Sequence, residues 1–209
     1  MNDLQRAFIH EIGHFIAAEL NYVLFGYDRR IDEFVLHFRE DSKIYFDGYV
    51  RTFKLPKSNK FNLNVIANYS ANIFYGCIFE CLYRKINLNQ CLCIISIEEN
   101  LKSNIGNGSS DYYEVFERIL RVEKNLKNTL DNWEEYLFSD YFNQLVLLEE
   151  QNHFLDIFNL NVNDFIENKI FDKHYINITS LRSCLDDFLS SHKKIFASFI
   201  ETLKQIQNQ

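Results

Sequence analysis

Near the start of the chain, His10-Glu11-Ile12-Gly13-His14 sets two imidazoles four residues apart, with a carboxylate directly after the first. On a helix, positions i and i+4 share a face, so His10 and His14 can grip one zinc ion together. Glu11 then falls beside the metal. There it can take a proton from a water molecule and pass it to a leaving amine, the task of the general base in a metallopeptidase. The flanks, Ala7-Phe8-Ile9 and Phe15-Ile16-Ala17, carry no charge, as a helix buried behind a metal requires. Gly13 stands between the ligands although Gly costs a helix about 1 kcal/mol relative to Ala. Its missing side chain predicts that another element packs closely there.

A catalytic zinc takes three protein ligands and keeps one position for water, so one more His, Asp or Glu must come from elsewhere. The residue types on offer are Asp111, Glu80, Glu114, Asp47, His37, His153, His174 and His192. Asp111 stands where Gly108-Ser109-Ser110 runs into the next helix, a junction that can aim a carboxylate while the loop bends around the metal. Asp111 also suits the helix cap itself, with Glu114 completing a capping box. Ser110 can cap in its place. Spacing alone leaves the choice open. Glu80, in Gly76-Cys77-Ile78-Phe79-Glu80, either needs a partner inside an apolar face or points to solvent. The other histidines have no spacing relation to the motif and are expected as surface or satisfied core residues.

These residues need elements to hold them. The apolar pattern predicts a first helix from about Asp3 to Val23. The period then changes: Phe34, Leu36 and Phe38 alternate with Val35, His37 and Arg39, and a second run follows from Ile44 to Phe53 after Glu40-Asp41-Ser42-Lys43. Two short strands joined by a charged turn fit best. The only proline, Pro56, lies in the polar connection that ends the second strand. From Leu63 to Tyr83 the spacing is helical again. The loop ending in Asn104-Ile105-Gly106-Asn107-Gly108-Ser109-Ser110 turns sharply. Beyond it, helices are expected from Tyr112 to about Lys127, from Trp133 to Phe158 with an interruption near Ser139-Asp140, and from Thr179 to about Ile206. The stretch from Asn159 to Asn177 has no clear period. The expected fold class is α+β: a predominantly helical, zincin-like domain with a small antiparallel hairpin or sheet after the first helix and a helical C-terminal extension. Residues 1–125 would form the peptidase core, and residues 126–209 the extension packed on it.

Composition narrows the class of function. A chain of 209 residues with 47% hydrophobic content, 20 Phe and 12 Tyr is a folded globule with a real core. A net charge of −7 without a block of Lys or Arg disfavours nucleic acid or anionic lipid as principal partner. No stretch has the 18 or more apolar residues of a membrane span, and the first residues lack a signal pattern. The metal helix starts almost at Met1, leaving no room for a pro-segment or anchor, so a cytoplasmic protein is expected. Five cysteines without a secretion signal indicate free thiols. Cys77 and Cys81 sit on the second helix, and Cys91 and Cys93 on an apolar, strand-like run. A second, structural zinc on these four is one reading. Buried, reduced side chains among Ile, Leu and Phe are the expected one.

Three pieces occur in order: His10-Glu11-x-Gly13-His14 on the first helix, Tyr75-Gly76-x-x-x-Glu80 on the next, and Gly108-Ser109-Ser110-Asp111 opening another. Together they resemble the peptidase domain of the FtsH family of ATP-dependent zinc proteases over roughly residues 5 to 125. The resemblance implies Zn2+ held by His10, His14 and Asp111, Glu11 as general base, and Glu80 as a supporting carboxylate beside the ligands. The chain departs from the family at Tyr75, where a second glycine is usual, at Phe79 in place of Ala, and in a longer separation from Glu80 to Asp111. It contains no Gly-x-x-x-x-Gly-Lys-Ser/Thr phosphate loop. The expected activity is therefore that of a soluble, ATP-independent metallopeptidase acting on flexible segments of a protein or peptide substrate, with a partner protein or a homo-oligomer possible. The alternative is a metal-bound regulatory or scaffolding protein that docks a partner through its helical tail. A third arrangement would use Glu80 in place of Asp111 as ligand.

Overall fold

The first helix is apolar around nearly its whole circumference, and a helix of that kind is stable only when enclosed. The fold wraps it. A computed structural model describes residues 3–26, 30–38, 46–52, 66–92, 111, 115 and 127–209. Helix α1, Asp3–Phe25, buries Phe8, Ile9, Ile12, Phe15, Ile16 and Ala17 completely. Strands β1, Ile31–Phe38, and β2, Phe46–Thr52, pair antiparallel, and helix α2, Ile66–Arg84, follows. The expected boundaries of α1, the two strands and α2 hold to within a few residues. The turn between the strands, the polar connection around Pro56, the Gly-Ser loop and most of the helix expected from Tyr112 lie outside the described residues.

Phe34 of β1 packs against both Phe8 and Phe15 of α1, with ring centroids 5.8 and 6.3 Å apart, which seats the sheet on α1. On another side α2 crosses α1 at a pair of glycines. A Cβ on Gly13 would lie 2.1 Å from the Tyr75 carbonyl oxygen and 3.0 Å from the Gly76 Cα. The close approach predicted from Gly13 is therefore that of the α2 backbone. Beyond the crossing, amides fasten the two helices: Asn21 Nδ2 donates to Asn68 O at 2.9 Å and Asn68 Nδ2 returns a bond to Asn21 Oδ1 at 2.8 Å.

After the short helix α3, Asn89–Leu92, the described chain resumes as α4, Lys127–Glu135, a π-helical turn at Tyr136–Tyr141, and α5, Phe142–Glu150. The interruption expected near Ser139-Asp140 is this π turn. A short helix α6, Leu155–Phe158, leads to strands β3, Ile166–Ile170, and β4, Lys173–Ile176, and then to α7, Ile178–Cys184, and α8, Asp186–Gln207. The last helix was expected in one piece; the chain breaks it at Leu185, which ends α7 and opens α8. Strand β4 pairs with β1, giving a four-stranded antiparallel sheet in the order β2-β1-β4-β3. The described structure is thus mainly helical with one small sheet, and half of that sheet's strands come from the stretch with no clear period.

The C-terminal helices hold α2 from behind. Tyr75 Oη meets Tyr141 Oη at 2.6 Å and His192 Nε2 at 3.0 Å, and His192 Nδ1 meets His153 Nε2 at 3.0 Å. Trp133, fully buried, packs on Phe74 and donates its indole N–H to Leu203 O at 3.0 Å. A partly buried ion pair ties α7 to α1: Arg182 reaches both oxygens of the buried Glu19, at 2.7 and 3.0 Å.

Candidate metal centre

The i, i+4 spacing on α1 brings His10 Nε2 and His14 Nε2 to 3.1 Å. Each ring is oriented by its other nitrogen. His10 Nδ1 faces Glu80 Oε2 at 3.0 Å, and His14 Nδ1 faces the Asn72 carbonyl at 2.7 Å. Both partners are acceptors, so each Nδ1 carries the hydrogen and each Nε2 is left with a lone pair aimed at the other. Asp111 Oδ2 closes the triangle at 3.3 Å from His10 Nε2 and 3.7 Å from His14 Nε2. Zinc bonds of 2.0–2.1 Å at tetrahedral angles separate two ligand atoms by about 3.3 Å. The three converging atoms bracket that value, and without a bound proton or metal ion their lone pairs would repel. Among the described residues, His10, His14 and Asp111 form one of two groups whose donor atoms lie close enough together to hold a metal ion.

Gly76 makes the room. A Cβ there would lie 2.2 Å from His14 Nε2 and 2.8 Å from His10 Nε2, crowding both converging nitrogens. A side chain at Gly48 on β2 would strike the Glu11 Cγ at 2.6 Å, so the general-base candidate is packed directly against the second strand. Glu11 and His10 are buried, whereas His14 and Asp111 are partly exposed, so the site meets solvent on that side.

Glu80 is fully buried and points inward. Besides His10 it holds Arg84 Nη1 at 2.7 Å and Arg6 Nη1 at 3.3 Å. Two guanidinium groups pair with the carboxylate, and the carboxylate in turn fixes the His10 tautomer, as in a carboxylate–histidine–metal relay. Glu80 lies behind His10 on the Nδ1 side, not among the three converging atoms. Burial alone would push the His10 pKa down. Hydrogen bonds with Asp111, Cys91 and Glu80 outweigh it and hold the pKa well above the ordinary value. The same anionic surroundings that favour a proton there favour a cation.

The remaining candidate ligands stand elsewhere. His37 pairs with Asp172, His174 lies on β4 opposite Leu36, and His192 is a buried core residue bonded to Tyr75 and His153. The Asp47 side chain and Glu114 lie outside the described residues. Cys77, Cys81 and Cys91 are buried and free, as expected, and Cys93 is not described. Cys91, expected on a strand-like run, instead sits in α3, because the backbone from Leu88 onward closes helical turns. Sequence reasoning missed two residues. Asn72 acts through its backbone carbonyl, which no side-chain pattern announces. Gly76 had a detectable signal, a glycine one turn before Glu80 in a helix interior.

Among the described residues, no helix is long and apolar enough to cross a membrane. No protein-family model matches the chain, and neither the curated proteins nor the solved structures compared with it give a match.

Proposed function

We propose that this protein is a zinc metallopeptidase of FtsH-like, zincin type, hydrolysing peptide bonds in flexible protein segments. The observation that carries the reading is the convergence of His10 Nε2, His14 Nε2 and Asp111 Oδ2 at tetrahedral spacing, next in sequence to Glu11. Two imidazoles and one carboxylate with a side open to solvent are the donor set of a catalytic rather than a structural zinc. The ion, when bound, polarises the scissile carbonyl and makes a water molecule acidic enough to attack near neutral pH. Glu11 accepts the proton of that water and returns it to the departing amine. Glu80 and the Asn72 carbonyl keep both imidazoles in the metal-binding tautomer.

Strand β2 ends the sheet order beside the site, with Gly48 against Glu11. An extended peptide could add to this edge through backbone hydrogen bonds, which would bring it alongside Glu11. Folded substrates offer no such free strand, so the cleavable segments are those that are already flexible.

The test is a paired measurement on purified protein. Wild type should hold one zinc per chain and cut an unfolded casein substrate. Glu11→Gln should hold the same zinc and cut at least about 100-fold more slowly, the lower range for loss of a general base. Undiminished cleavage by Glu11→Gln would refute the assignment, as would a wild-type protein that fails to bind zinc.

A further inference from the structure

Behind the metal triangle, two thiols, Cys77 and Cys91, converge on the same histidine. Cys77 and Cys81 lie one turn apart on α2, and Cys91 reaches in from α3. One donor atom each from His10, Cys77 and Cys91 lies within 4.8 Å of the other two. Cys91 Sγ sits 3.7 Å from Glu80 Oε2, the oxygen that also faces His10 Nδ1 at 3.0 Å. Cys77 Sγ sits 3.4 Å from Asp111 Oδ2. A tetrahedral ion with metal–sulfur bonds near 2.3 Å separates its sulfurs by about 3.8 Å, so movements of about 1 Å or less close the set. Cysteines serving only as small hydrophobes would be dispersed among Ile and Leu. These instead meet one another, an imidazole and a buried carboxylate.

We propose that His10, Cys77 and Cys91 form a second metal site, for a thiophilic cation such as Cd2+, Cu+ or Zn2+, that is an alternative to the site of His14 and Asp111 because both draw on His10. Two thiolates and one imidazole select soft ions, whereas two imidazoles and a carboxylate suit zinc and harder ones. The sites therefore differ in preference although they lie on one residue. The inference does not depend on peptidase activity: a chain with no hydrolytic function would bind the soft ion equally well.

Cadmium added in sub-stoichiometric amounts to the full, reduced, metal-free chain tests it. Cadmium should produce a thiolate-to-metal charge-transfer band, and X-ray absorption should show two sulfurs and an imidazole nitrogen around the ion. Cys77→Ser and Cys91→Ser should each weaken that binding about 100-fold, while Cys184→Ser, at an exposed thiol, should leave it unchanged. An oxygen and nitrogen shell without sulfur in the wild type overturns the proposal, and that measurement needs no variant to fold. A sulfur shell lacking imidazole also overturns it, as does a band that persists in the Cys77→Ser/Cys91→Ser double variant.

Discussion

Gly76→Ala tests the metal geometry without touching a ligand. The new methyl carbon would stand 2.2 Å from His14 Nε2, 2.4 Å from His14 Cε1 and 2.8 Å from His10 Nε2. Ordinary contact begins near 3.4 Å, so the His14 ring must retreat by about 1 Å. Metal–ligand bonds tolerate only about 0.2 Å. The ring therefore leaves the coordination sphere. Structural zinc sites release about 10–16 kcal/mol through four ligands, or about 3 kcal/mol for each. Loss of one corresponds to zinc binding weakened about 100- to 1000-fold. The metal-free fold should change little, because the obstruction is the far end of a side chain and Ala favours the helix over Gly by about 1 kcal/mol. Competition for zinc against a chromophoric chelator measures the affinity, and denaturant unfolding of the metal-free protein measures the fold. Gly13→Ala supplies the contrast. Its Cβ would meet the Tyr75 backbone at 2.1 and 2.6 Å, which cannot swing aside, so that variant should lose several kcal/mol of folding stability, as overpacked cores do. Zinc affinity in Gly76→Ala equal to wild type would show that the triangle is not the metal site.

Glu80→Gln removes the acceptor that fixes His10 and leaves Arg6 and Arg84 without their shared carboxylate. Zinc affinity should fall about 10- to 100-fold, as for other carboxylates behind a ligating histidine, and an unchanged chelator competition would deny Glu80 that role. Arg182→Ala strips the two-pronged partner from Glu19, which is 2% exposed and, among the described residues, keeps Arg30 at 3.8 Å as its remaining ion-pair partner. It should cost about 3 kcal/mol and lower the melting temperature by about 6–12 °C, with zinc binding intact; a shift under 2 °C, on the order of the effect of 1 kcal/mol, counts against it. His192 is held neutral by burial, with His153 adding repulsion, and its pKa is lowered to about 3. Because the unfolded chain binds that proton first, stability is complete above about pH 6.5 and is lost as pH falls towards 3. At pH 5 this amounts to about 2 kcal/mol. Urea unfolding of wild type and His192→Gln at pH 7.5 and 5 should show that acid loss only in the wild type, and equal losses in both would refute it.

What could be read from the chain depends on how local the physics is. Helix α1 is legible because its ligand spacing and its apolar flanks lie within one run of residues. Strands β1 and β2 are legible because Phe34, Leu36 and their neighbours alternate. Strands β3 and β4 were not. The residues of β3 are largely exposed, as in Glu167, Asn168 and Lys169, so no apolar face marks it, and the half-buried β4 exists as a strand through its pairing with distant β1. The same limit governs the site. Asp111 could be read as ligand or cap, and Glu80 as inward or solvent-facing; the crossing of α1 and α2 brings Glu80 to His10 Nδ1, and a later part of the chain brings Asp111 to His10 Nε2.

That crossing explains why two helix-weakening glycines are worth their cost of about 1 kcal/mol each. Gly13 lets the backbone of α2 come within contact of α1, which brings Asn72 and Glu80 to the Nδ1 atoms of the two histidines. At that separation any side chain at position 76 would fill the space between the Nε2 atoms, so Gly76 must be bare as well. Each glycine alone would be a defect. Gly13 without Gly76 would yield oriented imidazoles around an obstructed centre, and Gly76 without Gly13 would yield an open centre with unoriented rings. The candidate metal centre is therefore a property of the helix pair, and the five-residue motif on α1 is only the half of it that lies in one segment.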